Sequence, residues 1–332
     1  MSRVPIAILH EDLHAHPAVQ AWSGMWAAQD VPQRVEVLRR LVSSEVCRLV
    51  GAGPGGKNVI AKRSPGAKIS AELTVYERVL PQLSVTTPQY YGSRPTDGEG
   101  GEHAGDHWIF LEDVGSERYS EANPAHLTLT ARWVALMHGA AAGLTAIHEL
   151  PDGGPRRYLA HLCAAREKIQ RRLPGPDLTA DDVTMLQSVI AILDGLESRW
   201  GLIDGLCEGL PATLVHGDFR PKNVYLRPNG HGLACYPIDW ETAGWGVPAA
   251  DLTRIDVATY WACAQEWRAG LDLDTMQRLV SIGRAFCAVA GIDWESTSLR
   301  FDSRRVISRE LASIPVLARR LADAARAVGV EP

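Results

Sequence analysis

Lysine is scarce in this chain: five residues (Lys57, Lys62, Lys68, Lys168, Lys222) in 332. The net charge is −5 and no basic stripe runs through the sequence, so the electrostatic footprint of a nucleic-acid binder is missing. The six cysteines (Cys47, Cys163, Cys207, Cys235, Cys263, Cys287) form no C-x-x-C pair, which argues against a disulfide framework and a zinc-ribbon site. No apolar run approaches the roughly 18 residues of a membrane span. The N-terminus lacks the charged-then-apolar texture of a secretory signal. The expectation is a protein of the reducing cytoplasm with no nucleic-acid or membrane partner, as a monomer or homodimer. What is present is ordinary globular material, 46% hydrophobic and 22% charged, long enough for one large domain or two lobes.

The hydrophobic pattern changes character along the chain. Pro17 to Asp30 reads as a short helix around Trp22 and Trp26. RVEVLRRL and EVCRLV then alternate as half-buried strands do, and NVIAKR follows as a third strand. Lys68 to Leu80 is helical, with Ile69, Leu73, Tyr76 and Leu80 on one face and Pro81 as its stop. TPQYYGS and HWIFLEDV are two further strands. The Gly-rich TDGEGGEHAGDH between them matches no metal-ligand spacing and reads as a solvated loop. After Val114 the texture turns helical: Thr128–Leu150, Arg156–Leu173, Thr179–Trp200 and most of the chain from Asp251. This predicts an α+β protein of two lobes. Residues 1–114 form a β-rich N-terminal lobe with one helix and a short helical extension. Residues 115–332 form a larger, mostly helical C-terminal lobe.

One helical-lobe segment breaks the pattern. VHGDFRPKNVYLRPNGHGLACYPIDWETAG places four residues between Asp218 and Asn223, then two short strands deliver Asp239. That is the spacing of a kinase catalytic loop followed by a metal-binding aspartate. Phosphoryl transfer accounts for it: one carboxylate accepts the proton of the attacking hydroxyl, and two oxygen ligands from different loops hold Mg²⁺. Asp218 takes the first role; Asn223 and Asp239 take the second. His216 packs and hydrogen-bonds to hold the loop. Arg220, two residues after the base, lies where it can help neutralise a γ-phosphate.

HGDFRPKN, then IDWE, then GVPAADL resembles the aminoglycoside phosphotransferase and choline kinase-like family of small-molecule kinases. All three blocks occur in order, and the resemblance covers about Arg34 to Tyr260. It implies a bilobal protein-kinase-like fold, ATP (GTP is possible) and Mg²⁺ as cofactors, Asp218 as base, Asn223 and Asp239 on the metal, and Asp251 as a buttress of the catalytic loop. The acceptor it implies is a small hydroxylated molecule: an aminoglycoside-like antibiotic, a sugar, a nucleoside or an amino-alcohol. Gly217 stands where protein kinases carry the arginine that pairs with an activation-loop phosphate, and only eleven residues separate Asp239 from Asp251. Both features argue against phospho-switching and against a protein substrate.

GAGPGGKN (Gly51–Asn58) nearly spells a phosphate loop, with Asn58 where a P-loop needs Ser or Thr. A kinase keeps its phosphate-binding lysine on the third strand, and Lys62 in VIAKR fits, with Glu72 as its partner and Glu77 as the alternative. Five residues between Gly56 and Lys62 suffice for one strand, not two with a turn. The glycine run is therefore the turn joining strand two (Glu45–Val50) to strand three (Asn58–Arg63), and the phosphate cradle moves to Val42-Ser43-Ser44, with Ser43 and Ser44 as its hydroxyls. Glu112, Asp113 and Val114 become the inter-lobe linker whose backbone would meet the adenine. Trp240, Glu241, Trp245, Asp256 and Trp261 are candidates for the acceptor side, where aromatic faces and carboxylates suit a cationic or sugar-like molecule. A catalytically silent nucleotide-binding scaffold with the same fold stays open as the alternative.

Overall fold

Alternation builds the sheet. Val35, Val37, Cys47, Leu49, Val59, Ala61, Trp108 and Phe110 all fall on one face and bury together against Trp22. In the computed structural model, residues 4–25, 31–96, 105–145, 149–230, 232–267 and 272–332 are described. Most of the expected Gly-rich loop (97–104), Trp26 and Ile147 lie outside them. The chain divides into two compact units, Met1–Leu129 with Arg220–Thr242, and Thr130–Phe219 with Ala243–Pro332.

The strands are β1 (Ala7–Leu9), β2 (Arg34–Leu41), β3 (Ser44–Val50), β4 (Val59–Pro65), β5 (Tyr90–Pro95), β6 (Asp106–Glu112), β7 (Thr213–Val215), β8 (Val224–Pro228), β9 (Leu233–Pro237) and β10 (Gly244–Gly246). The first unit holds a six-stranded antiparallel sheet in the order β1-β2-β3-β4-β6-β5, and the separate hairpin β8-β9. The glycine run joins β3 to β4 as a turn: Gly51, Gly55 and Gly56 have φ of 76°, 67° and 74°, which a side chain would strain. Asn58 closes this turn by accepting from the Gly51 N–H (3.2 Å). β1 was not anticipated; three exposed residues offer no alternation to read.

The helices are α1 (Pro17–Ser23), α2 (Gly66–Thr74), α3 (Pro124–Ala142), α4 (Pro155–Arg172), α5 (Ala180–Glu197), α6 (Trp200–Cys207), α7 (Val257–Ala264), α8 (Leu273–Ser296) and α9 (Ser308–Arg326). The helix expected over 68–80 is regular only through Thr74; Val75–Val79 form a wider π-helical turn before Pro81. The helix expected over 128–150 starts earlier, behind an Asn123 side chain that accepts from the Ala125 N–H, and ends at Ala142 before Gly143. α5 starts on a capping box between Thr179 and Asp182. In the second unit Tyr158 stacks on Phe286 at 4.1 Å. Gly283 of α8 packs so closely on the 248–254 turn that a Cβ would meet the Ala249 carbonyl oxygen at 1.9 Å.

Candidate active site

The parity that sends Val59 and Ala61 into the core turns Ile60 and Lys62 to the opposite face of β4. There the Lys62 ammonium meets three carboxylates: Glu72 on α2 at 2.7 Å, Asp239 at 2.6 Å and Glu241 at 2.9 Å. Glu72 is fully buried. Burial pulls the Lys62 pKa down, but the three carboxylates overcome this and hold it well above the usual lysine range. Burial pushes Glu72 up to about 7; Lys62 works against this, while Asp239 and Glu241 add to it. Glu72 Oε1 is buried and has no hydrogen-bond partner, which fits a carboxyl that readily keeps a proton. Lys62 thus chooses Glu72. Glu77, the alternative, accepts instead from the hydroxyls of Tyr90 and Ser93.

Asp239 follows β9 with φ at 69°, a left-handed conformation uncommon outside glycine. Asn223 is 3% exposed; its N–H donates to the Arg220 carbonyl and its carbonyl accepts from the Ile238 N–H, tying the loop before β8 to the end of β9. Lys62, Glu72, Asn223 and Asp239 line one pocket of the first unit, roofed in part by Val46 and Ile60. Ile60 lies on this wall, whereas Leu49 faces the core.

Asp218 belongs to the second unit. The loop that carries it is pinned from below by Asp251, which is completely buried and accepts from the N–H groups of His216 (2.7 Å) and Gly217 (2.9 Å). His138 Nε2 lies 3.3 Å from the same carboxylate, and its Nδ1 lies 2.9 Å from the Tyr260 hydroxyl. His216 accepts from the Asp218 N–H through Nδ1 and meets Phe219 edge-on. Gly217 allows the turn at φ 77°. Asp218 itself is half-buried, on a backbone held by buried groups.

The other expected residues are placed as follows. Val42 and Ser43 form a tight turn between the paired Leu41 and Ser44; neither Ser43 nor Ser44 reaches the pocket wall. Glu112 accepts from Arg227 (2.7 Å) and Asp113 from Arg48 (2.6 Å), so their side chains brace the linker. Val114 is buried, and among the described residues its backbone makes no hydrogen bond. Arg220 is half-buried in the first unit.

Of the candidates for the acceptor side, Trp240, Glu241 and Asp256 are engaged within the protein. Trp240 is fully buried in the first unit's core, and Glu241 is engaged by Lys62 and Ser64 rather than open to an acceptor. Asp256 is the N-cap of α7, accepting from the Ala258 and Thr259 N–H groups. Trp245 pairs with Leu214 across β10 and β7, and Trp261 is half-buried on α7. Short polar side chains and large rings close to a site in sequence are spent on capping and packing first. Two features of the site had no forecast: the Glu241–Lys62 pair and Arg39 on the pocket wall. The acid of the I-D-W-E block was the available signal for the first.

A second cluster, His16, Glu45 and Cys47, brings ligand-type atoms together. His16 Nδ1 accepts from the Ala18 N–H, which leaves the proton on Nε2, and Arg40 holds Glu45. That protonation pattern is not that of a metal ligand.

Residues 34–298 match the model of the phosphotransferase enzyme family. The chain belongs to that family. No curated protein matches it. Solved structures share its fold at low identity. The GDP and kanamycin complex of APH(2")-IIia is 18% identical with a TM-score of 0.60, over 92% of this chain and 98% of that one. A microcompartment-associated aminopropanol kinase is 13% identical with a TM-score of 0.56, over 90% and 94%. Choline kinase from Cryptosporidium parvum Iowa II is 10% identical with a TM-score of 0.55, over 87% and 90%. As in these structures, the fold is α+β, with an antiparallel sheet and many helices. No helix among the described residues is long and apolar enough to cross a membrane.

Proposed function

We propose that this member of the family is an ATP- and Mg²⁺-dependent O-phosphotransferase that moves a γ-phosphoryl group to a hydroxyl of a small molecule. One observation carries the reading: the buried Lys62–Glu72 pair stands in the same pocket as Asn223 and Asp239. A buried ammonium held by carboxylates costs desolvation, and such a pair is weak as a stabilising device. It makes sense as a fixed positive charge for the α- and β-phosphates. The first unit, with residues of 1–114 at its centre, would bind the nucleotide, its base against the Val114 backbone.

The donor set fits magnesium. Carboxylate oxygens of Glu72, Asp239 and Glu241 lie within 4.8 Å of one another, and the Asn223 amide shares the pocket. These are the hard oxygen ligands that this ion requires. Asn223 and Asp239 would hold it, and once bound it would neutralise charge on the phosphates. Asp218 would accept the proton of the attacking hydroxyl. In support of that role, its loop is fixed by the two N–H bonds to Asp251, so little reorganisation is needed when the hydroxyl arrives.

The structural neighbours include a kanamycin complex, an aminopropanol kinase and a choline kinase, and these three molecules combine a cationic nitrogen with a hydroxyl. An acceptor of that kind is our reading for this chain; GTP is an admissible donor, since GDP sits in one neighbour. The test is ADP release from MgATP over a panel of amino-alcohols, aminoglycosides, sugars and nucleosides. Turnover on one class supports the assignment. Nucleotide binding without turnover on any would point instead to a silent kinase-fold scaffold.

A further inference from the structure

Arg39 should not face the pocket. On β2, Val35 and Val37 point into the core of the sheet, and a strand of period two would send residue 39 after them. The pairing shows why it does not. Val37 sits opposite Cys47, yet Arg39 sits opposite Val46, so Leu38 is an extra residue in the ladder. Such a bulge reverses the parity of everything beyond it. Both Leu38 and Arg39 consequently line the pocket of the first unit.

The register gives Arg39 a specific neighbour. Arg39 pairs with Val46, and Val46 pairs with Lys62. The two cations stand on one face of the sheet, in one cross-strand row, with a valine between them. Two strand spacings put their backbones roughly 9–10 Å apart. Lys62 is committed to three carboxylates. Arg39 is not committed in this way: its Nε is buried with no hydrogen-bond partner, and among the described residues no ion pair forms to its guanidinium. A buried guanidinium nitrogen without an acceptor is costly to keep in an isolated protein. It is accounted for if a ligand supplies the acceptor.

The geometry points to Arg39 as a phosphate-binding residue for the nucleotide, standing in for the serine hydroxyls that the sequence placed at positions 43 and 44. The assignment rests on the nucleotide-binding reading given above. A planar guanidinium can take two phosphate oxygens at once, which suits a diphosphate bridging Arg39 and Lys62. The bulge is the device that makes this possible, because it lifts the side chain out of the core face.

The test measures binding by the full-length chain of MgADP and of adenosine, which shares the base and ribose but has no phosphate. Arg39→Gln should weaken MgADP about 10–100-fold, the range for losing a hydrogen bond to a charged group. Adenosine binding at millimolar concentration should not change. Arg39→Lys should recover part of the loss, since it restores charge without the fork. The melting temperature of Arg39→Gln should stay at the wild-type value or rise, because no partner in the protein is orphaned. Equal MgADP affinity in wild type and Arg39→Gln would overturn the assignment and leave nucleotide binding standing. So would a parallel loss of adenosine, which would make Arg39 a base or ribose contact. If the wild-type chain binds neither ligand, the nucleotide reading itself falls and this one with it.

Discussion

Replacing Lys62 by methionine removes the ammonium from the centre of the carboxylate cluster while keeping most of the side chain's volume. Glu72 is completely buried, and Lys62 is its hydrogen-bond partner. Breaking a buried ion pair from one side costs about 3–5 kcal/mol, because the remaining charge is left unpaired. At about 2–4 °C per kcal/mol for a domain of this size, the melting temperature of the first unit should fall by about 6–20 °C. The loss should also depend on pH. Glu72 in the folded wild type is already pushed up to about 7 from a usual 4.5, by burial and by Asp239 and Glu241. Without the ammonium it rises further. A carboxyl with a raised folded pKa holds more protons folded than unfolded between those two values, so stability falls as pH climbs through that window. The slope is at most about 1.4 kcal/mol per pH unit for one group. The deficit of Lys62→Met relative to wild type should therefore be larger at pH 8 than at pH 5.5, by up to about 1.4 kcal/mol for this one group. Adding Glu72→Gln should restore much of the loss at pH 8. Thermal melts of the two variants at both pH values decide the matter. A deficit that is the same at pH 5.5 and pH 8, or a double variant no more stable than the single one, would refute the claim that an orphaned Glu72 charge causes it.

Three further outcomes are expected. Asp218→Asn should keep its melting temperature and nucleotide affinity but lose turnover by about 10²–10⁴, the share of a general base; near-normal turnover in an ADP-release assay would remove Asp218 from that role. Asp251→Asn puts an amide NH₂ against the N–H of His216 or Gly217, each such bond to a charged group being worth about 1.5–3 kcal/mol, so calorimetry should show the second unit destabilised and activity should fall with it. Glu77→Gln should leave turnover within a few-fold of wild type, whereas Glu72→Gln should depress it by orders of magnitude, since only Glu72 bonds to Lys62; equal effects in the same assay would undo the choice between them.

Elements with strong periodicity were legible in the sequence. β2, β3, β4 and β6 lie within two residues of their expected bounds because their alternation is enforced by a core on one face and a pocket on the other. The convergence of Lys62, Glu72, Asn223 and Asp239 on one pocket was legible for a different reason: the proposed phosphoryl transfer would demand fixed residue types at fixed spacing, whatever the surrounding packing. The engagement of Trp240, Glu241 and Asp256 was not. Whether Trp240 is a wall or a core filler, and whether Asp256 is a ligand or a cap, depends on tertiary neighbours that no local pattern encodes. The Glu241 carboxylate stands in the quoted motif but is assigned there to the acceptor side, because a short segment after a strand has no periodicity to fix its direction.

Arg39 shows the limit most sharply, since there the local rule gives a definite and mistaken answer. Period two assigns it to the core; one extra residue, Leu38, assigns it to the pocket, and nothing in RVEVLRRL marks where the extra residue falls. Without the extra residue, Arg39 would stand opposite Glu45; with it, Arg40 takes that place and donates to Glu45, and Arg39 moves to the side where Lys62 already stands. Among the described residues, the pocket then holds an arginine without an ion pair, Arg39, beside a lysine held by three carboxylates. An uncompensated cation is the part of the wall that can attract a polyphosphate; the carboxylate-bound lysine, by itself, would not.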